Sequence, residues 1–145
     1  MKKFLIVLVL LLVGCSKQDT KMKEYQNFYN VLKNNKVISE KVPFQITVEV
    51  SNLNEEEKMY QVIIDDTLIP LNNVSALVIH DRKTDDIFPS IGIFDDKMKL
   101  HPNVSPKGIV LVGYIPNDEI ETIFKVIVNY EYNEKTYQVF YEKKI

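Results

Sequence analysis

The stretch FQITVEV, Phe44 to Val50, decides the fold class of this 145-residue chain. Every second residue in it is apolar, namely Phe44, Ile46, Val48 and Val50, and the residues between them are polar. Alternation with a period of two is typical of a β-strand that buries one face and exposes the other. We therefore expect a strand here that covers one side of a hydrophobic core.

The same texture returns along the rest of the chain, interrupted by clusters of turn-forming residues. The further predicted strands are Met59–Ile64, Val74–His80, Ile87–Phe94, Ile109–Ile115, Ile123–Tyr132 and Thr136–Lys143. The predicted turns between them are Ser51–Lys58, Asp65–Asp66, Arg82–Asp86, Asp95–Lys97, Pro116–Glu119 and Asn133–Lys135. Seven short strands with no helix between them predict a mainly β domain, an antiparallel β-sandwich over residues 42–145.

Two short motifs in this domain add a resemblance. The first strand continues into Val50-Ser51-Asn52, and Ser105-Pro106-Lys107-Gly108 precedes the later strand IVLVGYIP. The domain loosely resembles the immunoglobulin-like domains of small Gram-positive surface lipoproteins, in which a Val-x-Asn step pairs with a later Pro-x-Gly turn. The resemblance implies an immunoglobulin-like sandwich of about seven strands and assigns no activity to any residue.

The segment before the domain, residues 15–41, is polar and rich in lysine. Its apolar residues are spaced by three or four positions and are Met22, Tyr25, Phe28 or Tyr29, and Leu32. That spacing favours one apolar face of a short helix, over about residues 20–33. The alternative is a flexible tether that carries a few aromatic residues.

The N-terminus has the layout of an export signal. Lys2 and Lys3 precede an uncharged apolar run from Phe4 to Val13, and charged residues return from Lys17 onward. A run of about ten residues suits the apolar region of a signal peptide. It is too short to span a bilayer, which needs roughly 20 apolar residues.

The only cysteine of the chain stands at the end of this run, after Leu12, Val13 and Gly14. Leu12-Val13-Gly14-Cys15 resembles the lipobox of bacterial lipoproteins, although Val13 is bulkier than the residue usual at that position. The resemblance implies removal of residues 1–14 as a signal peptide and a diacylglyceryl group on Cys15, with anchoring to a membrane. It also leaves no thiol for a disulfide, a nucleophile or a zinc site.

Composition narrows the partners and the location of the protein. Without residues 1–14 the chain has 16 basic and 20 acidic residues, a net charge of −4, which argues against nucleic acid as a partner. The basic residues are almost all lysine, since Arg82 is the single arginine, and isoleucine and asparagine are abundant. This bias favours an AT-rich, Gram-positive source and a location on the extracytoplasmic face of the cell membrane. For a Gram-negative source, Ser16 after the cysteine would favour the outer membrane.

Acidic pairs in predicted loops are the candidates for a cation site. Asp81, Asp85 and Asp86 lie close together, and further pairs are Asp65-Asp66 and Asp95-Asp96. Calcium takes six to eight oxygen ligands, but the segment from Asp81 lacks the glycine and glutamate of an EF-hand loop. Aspartates that cap turns are the favoured interpretation, and we expect no metal or other cofactor. His80 and His101 are interpreted as surface loop residues rather than metal ligands.

Catalytic motifs are missing from the sequence, which has no nucleophile elbow, phosphate-binding glycine loop or His-Glu-x-x-His. We therefore expect a protein that is not an enzyme, and packing rather than partner binding for Tyr130, Tyr132, Tyr137, Phe140 and Tyr141. The expected function is a noncatalytic binding or adaptor module for another envelope or secreted protein. The alternatives are a carrier of a small ligand or cation that uses the Asp-rich loops, and an inhibitor or immunity-type lipoprotein.

Overall fold

The computed structural model describes residues 20–83 and 90–145, and the side chains of residues 90 and 94–96 lie outside the description. Within these residues one helix, α1 (residues 20–34), precedes seven strands. The strands are β1 (Gln45–Asn52), β2 (Glu57–Asp65), β3 (Leu71–His80), β4 (Ser90–Leu100), β5 (Ile109–Pro116), β6 (Ile123–Tyr132) and β7 (Lys135–Lys144).

The strands form two antiparallel sheets, with the orders β1-β2-β5 and β4-β3-β6-β7. The prediction of a mainly β, antiparallel sandwich with about seven strands is confirmed. A constant-type immunoglobulin domain joins its first, second, fifth and fourth strands in one sheet. Here the fourth strand instead pairs with the third. The sheet that contains the first strand therefore has three strands, and the other sheet has four.

The core lies between the two sheets. The alternation of apolar and polar residues in β1 explains which residues of this strand face the core. Phe44 and Ile46 are buried, and Val48 and Val50 pack against the buried cluster. The other six strands complete the core, β4 with Leu100 and β7 with Val139, and its largest fully buried side chains include Tyr60 and Phe124. The residues of β1 between the apolar positions point away from the core, as the period of two requires.

Gly113 of β5 makes room for the central aromatic ring of this core. It pairs with Tyr60 of β2 across the sheet. A Cβ atom on Gly113 would lie 2.4 Å from the Tyr60 ring and 2.5 Å from the Ile91 side chain. A residue with a side chain therefore cannot occupy position 113 without displacing the ring.

The four-stranded sheet is covered on its outer face by α1. Phe28 and Leu32 are buried there against Leu77, Ile79 and Ile127, which point away from the sandwich core. This explains why β3 is apolar at consecutive positions, since both of its faces are covered. Of the two alternatives for this segment, a short helix or a flexible tether, the structure has the helix. The helix packs on the domain.

Two contacts fix the direction in which α1 crosses the sheet. Near its beginning, Glu24 forms an ion pair of 3.8 Å with Lys97, close to the end of β4. Just after its end, the carbonyl oxygen of Asn35 accepts a hydrogen bond of 3.4 Å from Lys125, close to the beginning of β6. The chain then passes the edge of β7, where the Ser39 backbone and hydroxyl bond the backbone of Phe140 at 2.9 and 3.0 Å.

The sandwich therefore has an α1-start end and an opposite end. The α1-start end includes loops 66–70 and 101–108, which adjoin because Leu71 pairs with Leu100 at the borders of β3 and β4, and the turn between β6 and β7. The opposite end comprises loops 53–56 and 117–122. The strands between the two ends have 8 to 11 residues, so the ends lie roughly 30 Å apart.

The predicted turn at Asp95–Lys97 is wrong, because these residues lie inside β4. The strand accommodates them by an irregularity rather than by a reversal of direction. Between the pairs Ala76–Ile93 and Val74–Met98, β4 advances by five residues and β3 by two. Polar residues in a predicted strand can therefore mark a bulge, which bends a strand without ending it. The predicted start of this strand at Ile87 lies outside the described residues.

The turn between β6 and β7 is the two-residue loop Asn133-Glu134, closed by the pair Tyr132–Lys135. Both loop residues have positive φ angles, 48° and 62°. A two-residue hairpin of type I′ needs positive φ at both positions because its twist then matches that of the strands. Asn133 suits this conformation, whereas Glu134 adopts it at an energetic cost.

Candidate functional site

The predicted lipidation site cannot be placed in the structure. Cys15 and the lipobox residues Leu12, Val13 and Gly14 lie outside the described residues. Asp85 and Asp86, two of the three candidate cation ligands, do so as well. Lipidation therefore stays a prediction from the sequence.

Asp81 lies within the description and has a structural partner. Its carboxylate Oδ1 accepts a hydrogen bond of 2.9 Å from the backbone N–H of Ile123, and its own N–H donates to the Ile123 carbonyl oxygen at 3.3 Å. Asp81 thus joins the end of β3 to the beginning of β6. Residues 20–83 and 90–145 contain no group of three or more His, Cys, Asp and Glu side chains that could hold a metal ion.

The interpretation of His80 as a surface residue is wrong. Its side chain is buried in β3 and packs edge-on against Tyr60 and Phe124, with ring centroids 5.6 and 6.1 Å apart. Its Nδ1 atom accepts a hydrogen bond of 3.2 Å from the backbone N–H of Arg82. His80 is the last residue of β3, and its side chain lies on the face of this strand that points into the core. Its position beside the charged Asp81 did not indicate this burial. His101 is exposed, as expected, and its Nδ1 accepts a bond of 3.3 Å from Asn103.

A group of ionic contacts closes the opposite end of the sandwich. The side chain of Arg82 is buried, and its guanidinium forms an ion pair with Asp118 and donates to the Ile120 carbonyl oxygen at 2.9 Å. Lys58 donates to the backbone carbonyl oxygen of Asp118 at 2.6 Å. These contacts hold loop 117–122 against β2 and the end of β3.

The pKa of Asp118 reflects these contacts. Burial raises the pKa of its carboxyl. The hydrogen bonds from Arg82 and from the Ile120 N–H, with the charges of Arg82 and Lys58, lower it by more, so that the pKa lies below the ordinary 3.8. A carboxylate held in this way stabilises a loop. The geometry gives Arg82 and Asp118 a structural role.

A cleft of about 240 Å³ opens between the C-terminal half of α1 and the sheet beneath it. Its volume is below the roughly 300 to 1,000 Å³ that is usual for small-molecule sites. The Asp81 carboxylate on its wall is already engaged by Ile123. The residues that line the cleft are Tyr29, Lys33, Ile79, His80, Asp81, Ile123 and Lys125.

Most of the aromatic residues of β6 and β7 pack within the domain, as predicted, whereas Tyr137 is 40% exposed. Tyr130 is buried and stacks on its cross-strand partner Tyr137, with centroids 5.2 Å apart, and it meets Phe44 edge-on at 5.7 Å. Tyr132 and Tyr141 pack against the core, and Phe140 packs beneath α1. Burial and the neighbouring Tyr137 raise the pKa of Tyr130.

The outer face of the β1-β2-β5 sheet exposes several large apolar side chains to solvent. Three outward side chains of β5, Val110, Val112 and Tyr114, have exposed fractions of 53%, 38% and 50%. Their cross-strand neighbours on β2 are Ile63, Gln61 and Met59, each half-buried.

This face changes in character from one edge of the sheet to the other. On β1 the outward residues opposite Ile63, Gln61 and Met59 are Thr47, Glu49 and Ser51. The half of the face formed by β5 and β2 is thus apolar around a single amide, and the half formed by β1 is polar. We name the outward residues Met59, Gln61, Ile63, Val110, Val112 and Tyr114 the β5 face.

The β5 face was not predicted from the sequence, although a signal for it exists. The strand IVLVGYIP is apolar at consecutive positions from Ile109 to Val112. Consecutive apolar residues give a strand two apolar faces. In β3 the same signal marks the face that α1 covers, whereas in β5 the second face is exposed.

No helix in the described part of the chain is long and apolar enough to cross a membrane. In comparisons with known proteins, the chain matches no protein-family model and no curated protein.

Proposed function

We propose that this protein is a bacterial envelope lipoprotein, anchored through Cys15, whose sandwich domain is a noncatalytic binding module for another envelope or secreted protein. The partner docks on the β5 face. The export signal and the lipobox resemblance support the anchor, and the β5 face is the observation that carries the binding role.

The make-up of the β5 face suits a protein partner. A largely apolar patch beside a polar border is a common arrangement of a protein interface, and exposed apolar patches mark such sites. Tyr114 adds an exposed aromatic side chain, the type of residue that contributes most of the energy at many interfaces.

The position of α1 explains why this sheet, and not the other, is offered to a partner. The outer face of β4-β3-β6-β7 is occupied by Phe28 and Leu32 of the helix. The β5 face has no such cover among residues 20–83 and 90–145. A partner would therefore supply the third layer on this side that α1 supplies on the other.

The test is in-cell cross-linking from the centre of the β5 face. A photo-reactive amino acid replaces Val112 in the full-length protein, and a matched variant carries it at Gln138, an exposed position of β7. We expect a discrete cross-linked protein from position 112 and none from position 138. Equal products from both positions, or none from position 112, would contradict a partner on this face.

A charge substitution then measures how much the face contributes to binding. Val112→Glu places a carboxylate at the apolar centre and should weaken the complex with the cross-linked protein at least tenfold, which corresponds to about 1.4 kcal/mol. Thr47→Glu changes the polar half of the same sheet and should leave the affinity within about twofold. Equal effects of the two variants would move the interface away from β5.

The inhibitor-type alternative uses the same part of the molecule. β5 is an edge strand of its sheet, and an edge strand can pair with an extended segment of a partner. The identity of the cross-linked protein separates the two functions. An enzyme that loses activity on binding would favour the inhibitor, and a protein without activity would favour the adaptor.

A further inference from the structure

The α1-start end of the sandwich contains two of the most exposed apolar side chains in the described residues. Leu68 in loop 66–70 is 76% exposed, and Val104 in loop 101–108 is 57% exposed. A backbone hydrogen bond fixes each loop. The N–H of Leu68 donates to the carbonyl oxygen of Pro43 at 2.7 Å, and the N–H of Val104 donates to the carbonyl oxygen of His101 at 3.4 Å. The apolar tips are thus presented by a defined backbone.

Exposure alone does not single out this end. Ile120 in loop 117–122 at the opposite end is 66% exposed. The distinguishing feature is α1, which begins at the end that carries Leu68 and Val104 and runs toward the end that carries Ile120. The Glu24–Lys97 and Lys125–Asn35 contacts fix that direction.

The length of chain before α1 limits how far this end can lie from the anchor. Five residue steps separate Cys15 from Thr20, the first described residue of the helix. A fully extended chain covers at most about 3.6 Å per step, so the two residues lie within roughly 18 Å of each other. The opposite end lies about 30 Å farther along the strands.

We propose that the α1-start end faces the lipid bilayer, with Leu68 and Val104 at the membrane interface. This inference rests on the proposed anchor at Cys15. A docked helix shortens the segment 15–41, which would otherwise let the domain stand far from the membrane. The strands then run away from the membrane surface, roughly perpendicular to it. The β5 face lies on the side of the domain, where a partner can reach it.

Lipid is the occupant that these observations favour for the two loop tips. The anchor holds them within reach of the bilayer whatever else binds the protein. Burial of aliphatic side chains at the interface is favourable by about 25 cal/mol per Å² of apolar surface. The exposed Lys107, which follows Val104 in the same loop, can keep its ammonium group at the headgroups.

The test uses the fact that Cys15 is the only natural thiol. In lipidated full-length protein a Leu68→Cys substitution supplies the single free thiol, which is labelled with a fluorophore. The protein is reconstituted in phosphatidylglycerol vesicles whose acyl chains carry bromine, a short-range quencher. The matched control is Ile120→Cys, a similarly exposed aliphatic position at the opposite end, and unchanged melting temperatures show that both variants are folded.

We expect at least threefold stronger quenching of the label at position 68 than of the label at position 120. Equal quenching, or stronger quenching at position 120, would overturn the inference about orientation. The intact mass of the same samples reports separately on the anchor. A chain without lipid on Cys15 would refute the proposed anchor itself, whereas a lipidated chain with equal quenching would refute only the orientation.

Discussion

At the scale of single residues, Gly113 lies where the core leaves no room for a side chain. The Tyr60 ring occupies the space that a Cβ atom of residue 113 would need. Gly113→Ala should therefore lower the free energy of unfolding by about 1–3 kcal/mol, as is usual for overpacking in a core. Urea unfolding measures it.

The control for this prediction is the neighbouring Val112→Ala. Its side chain points outward and is partly exposed, so the expected change is within about 0.5 kcal/mol. An equal loss for both variants would mean that the strand, and not the contact with Tyr60, is sensitive to substitution.

The ion pair of Asp118 predicts a pH dependence. Because the folded pKa of Asp118 lies below its ordinary value, the carboxylate stabilises the fold above about pH 4. That stabilisation is lost as the pH falls through the folded pKa. Asp118→Asn should therefore lower stability at pH 7, and its difference from the wild type should shrink on acidification.

Arg82→Ala is the background that isolates this contact. In a double-mutant cycle, Asp118→Asn should have little further effect once Arg82 is removed. A stability difference between wild type and Asp118→Asn that stays constant from pH 7 to about pH 2 would contradict the assigned role of the carboxylate.

Residue-scale prediction from the sequence succeeded where a pattern extends over several positions. The alternation around Phe44 placed its apolar residues correctly in the core. It failed for His80, because a single residue type at the end of a strand does not reveal which face it occupies. The burial of His80 depends on Tyr60 and Phe124, which are distant in the sequence.

At the scale of elements, α1 predicts a measurable contribution to stability. Leu32 is 2% exposed and packs against the outer face of the four-stranded sheet. Leu32→Ala should lower the free energy of unfolding by about 2–4 kcal/mol through lost burial and the cavity left behind. Thermal and urea unfolding of the full-length chain measure it.

Met22→Ala tests whether this loss comes from docking or from helix formation. Met22 lies on the same helix and is 47% exposed, and alanine favours helix at least as well as methionine. We expect a change within about 0.5 kcal/mol. If Leu32→Ala costs no more than Met22→Ala, the helix does not rest on the sheet.

The β6–β7 hairpin offers a stabilising substitution. Glu134 has a φ angle of 62°, which glycine adopts without the steric cost of a Cβ atom. Glu134→Gly creates the Asn-Gly pair that type I′ turns prefer, and it should raise stability by about 0.5–1 kcal/mol. Glu134→Ala keeps the Cβ atom and should bring no gain in melting temperature. A loss of stability in the glycine variant would show that the turn has another conformation.

The elements themselves were largely predictable, but their contacts were not. The limits of β6 agree with the sequence pattern, because its residues are strongly β-forming and a tight turn follows. The covered face of β3 and the bulge in β4 arise from packing between segments far apart in the chain. A helical spacing of apolar residues in 20–33 indicated a helix face, and the sequence did not state what covers it.

At the scale of the whole molecule, the described fold leaves one face of the sandwich open. One sheet carries α1 on its outside, the other presents the β5 face, and the helix begins at the end that carries Leu68 and Val104. We propose that Cys15 anchors this domain to a membrane by a short connection. The proposed orientation depends on that anchor.

Intact mass spectrometry of the full-length protein purified from bacterial membranes tests this claim most directly. We expect a chain that begins at Cys15 and carries a diacylglyceryl group, and a Cys15→Ala variant that carries no lipid and leaves the membrane fraction. Wild-type protein with a free Cys15 thiol, fractionating in the same way as the variant, would contradict the claim.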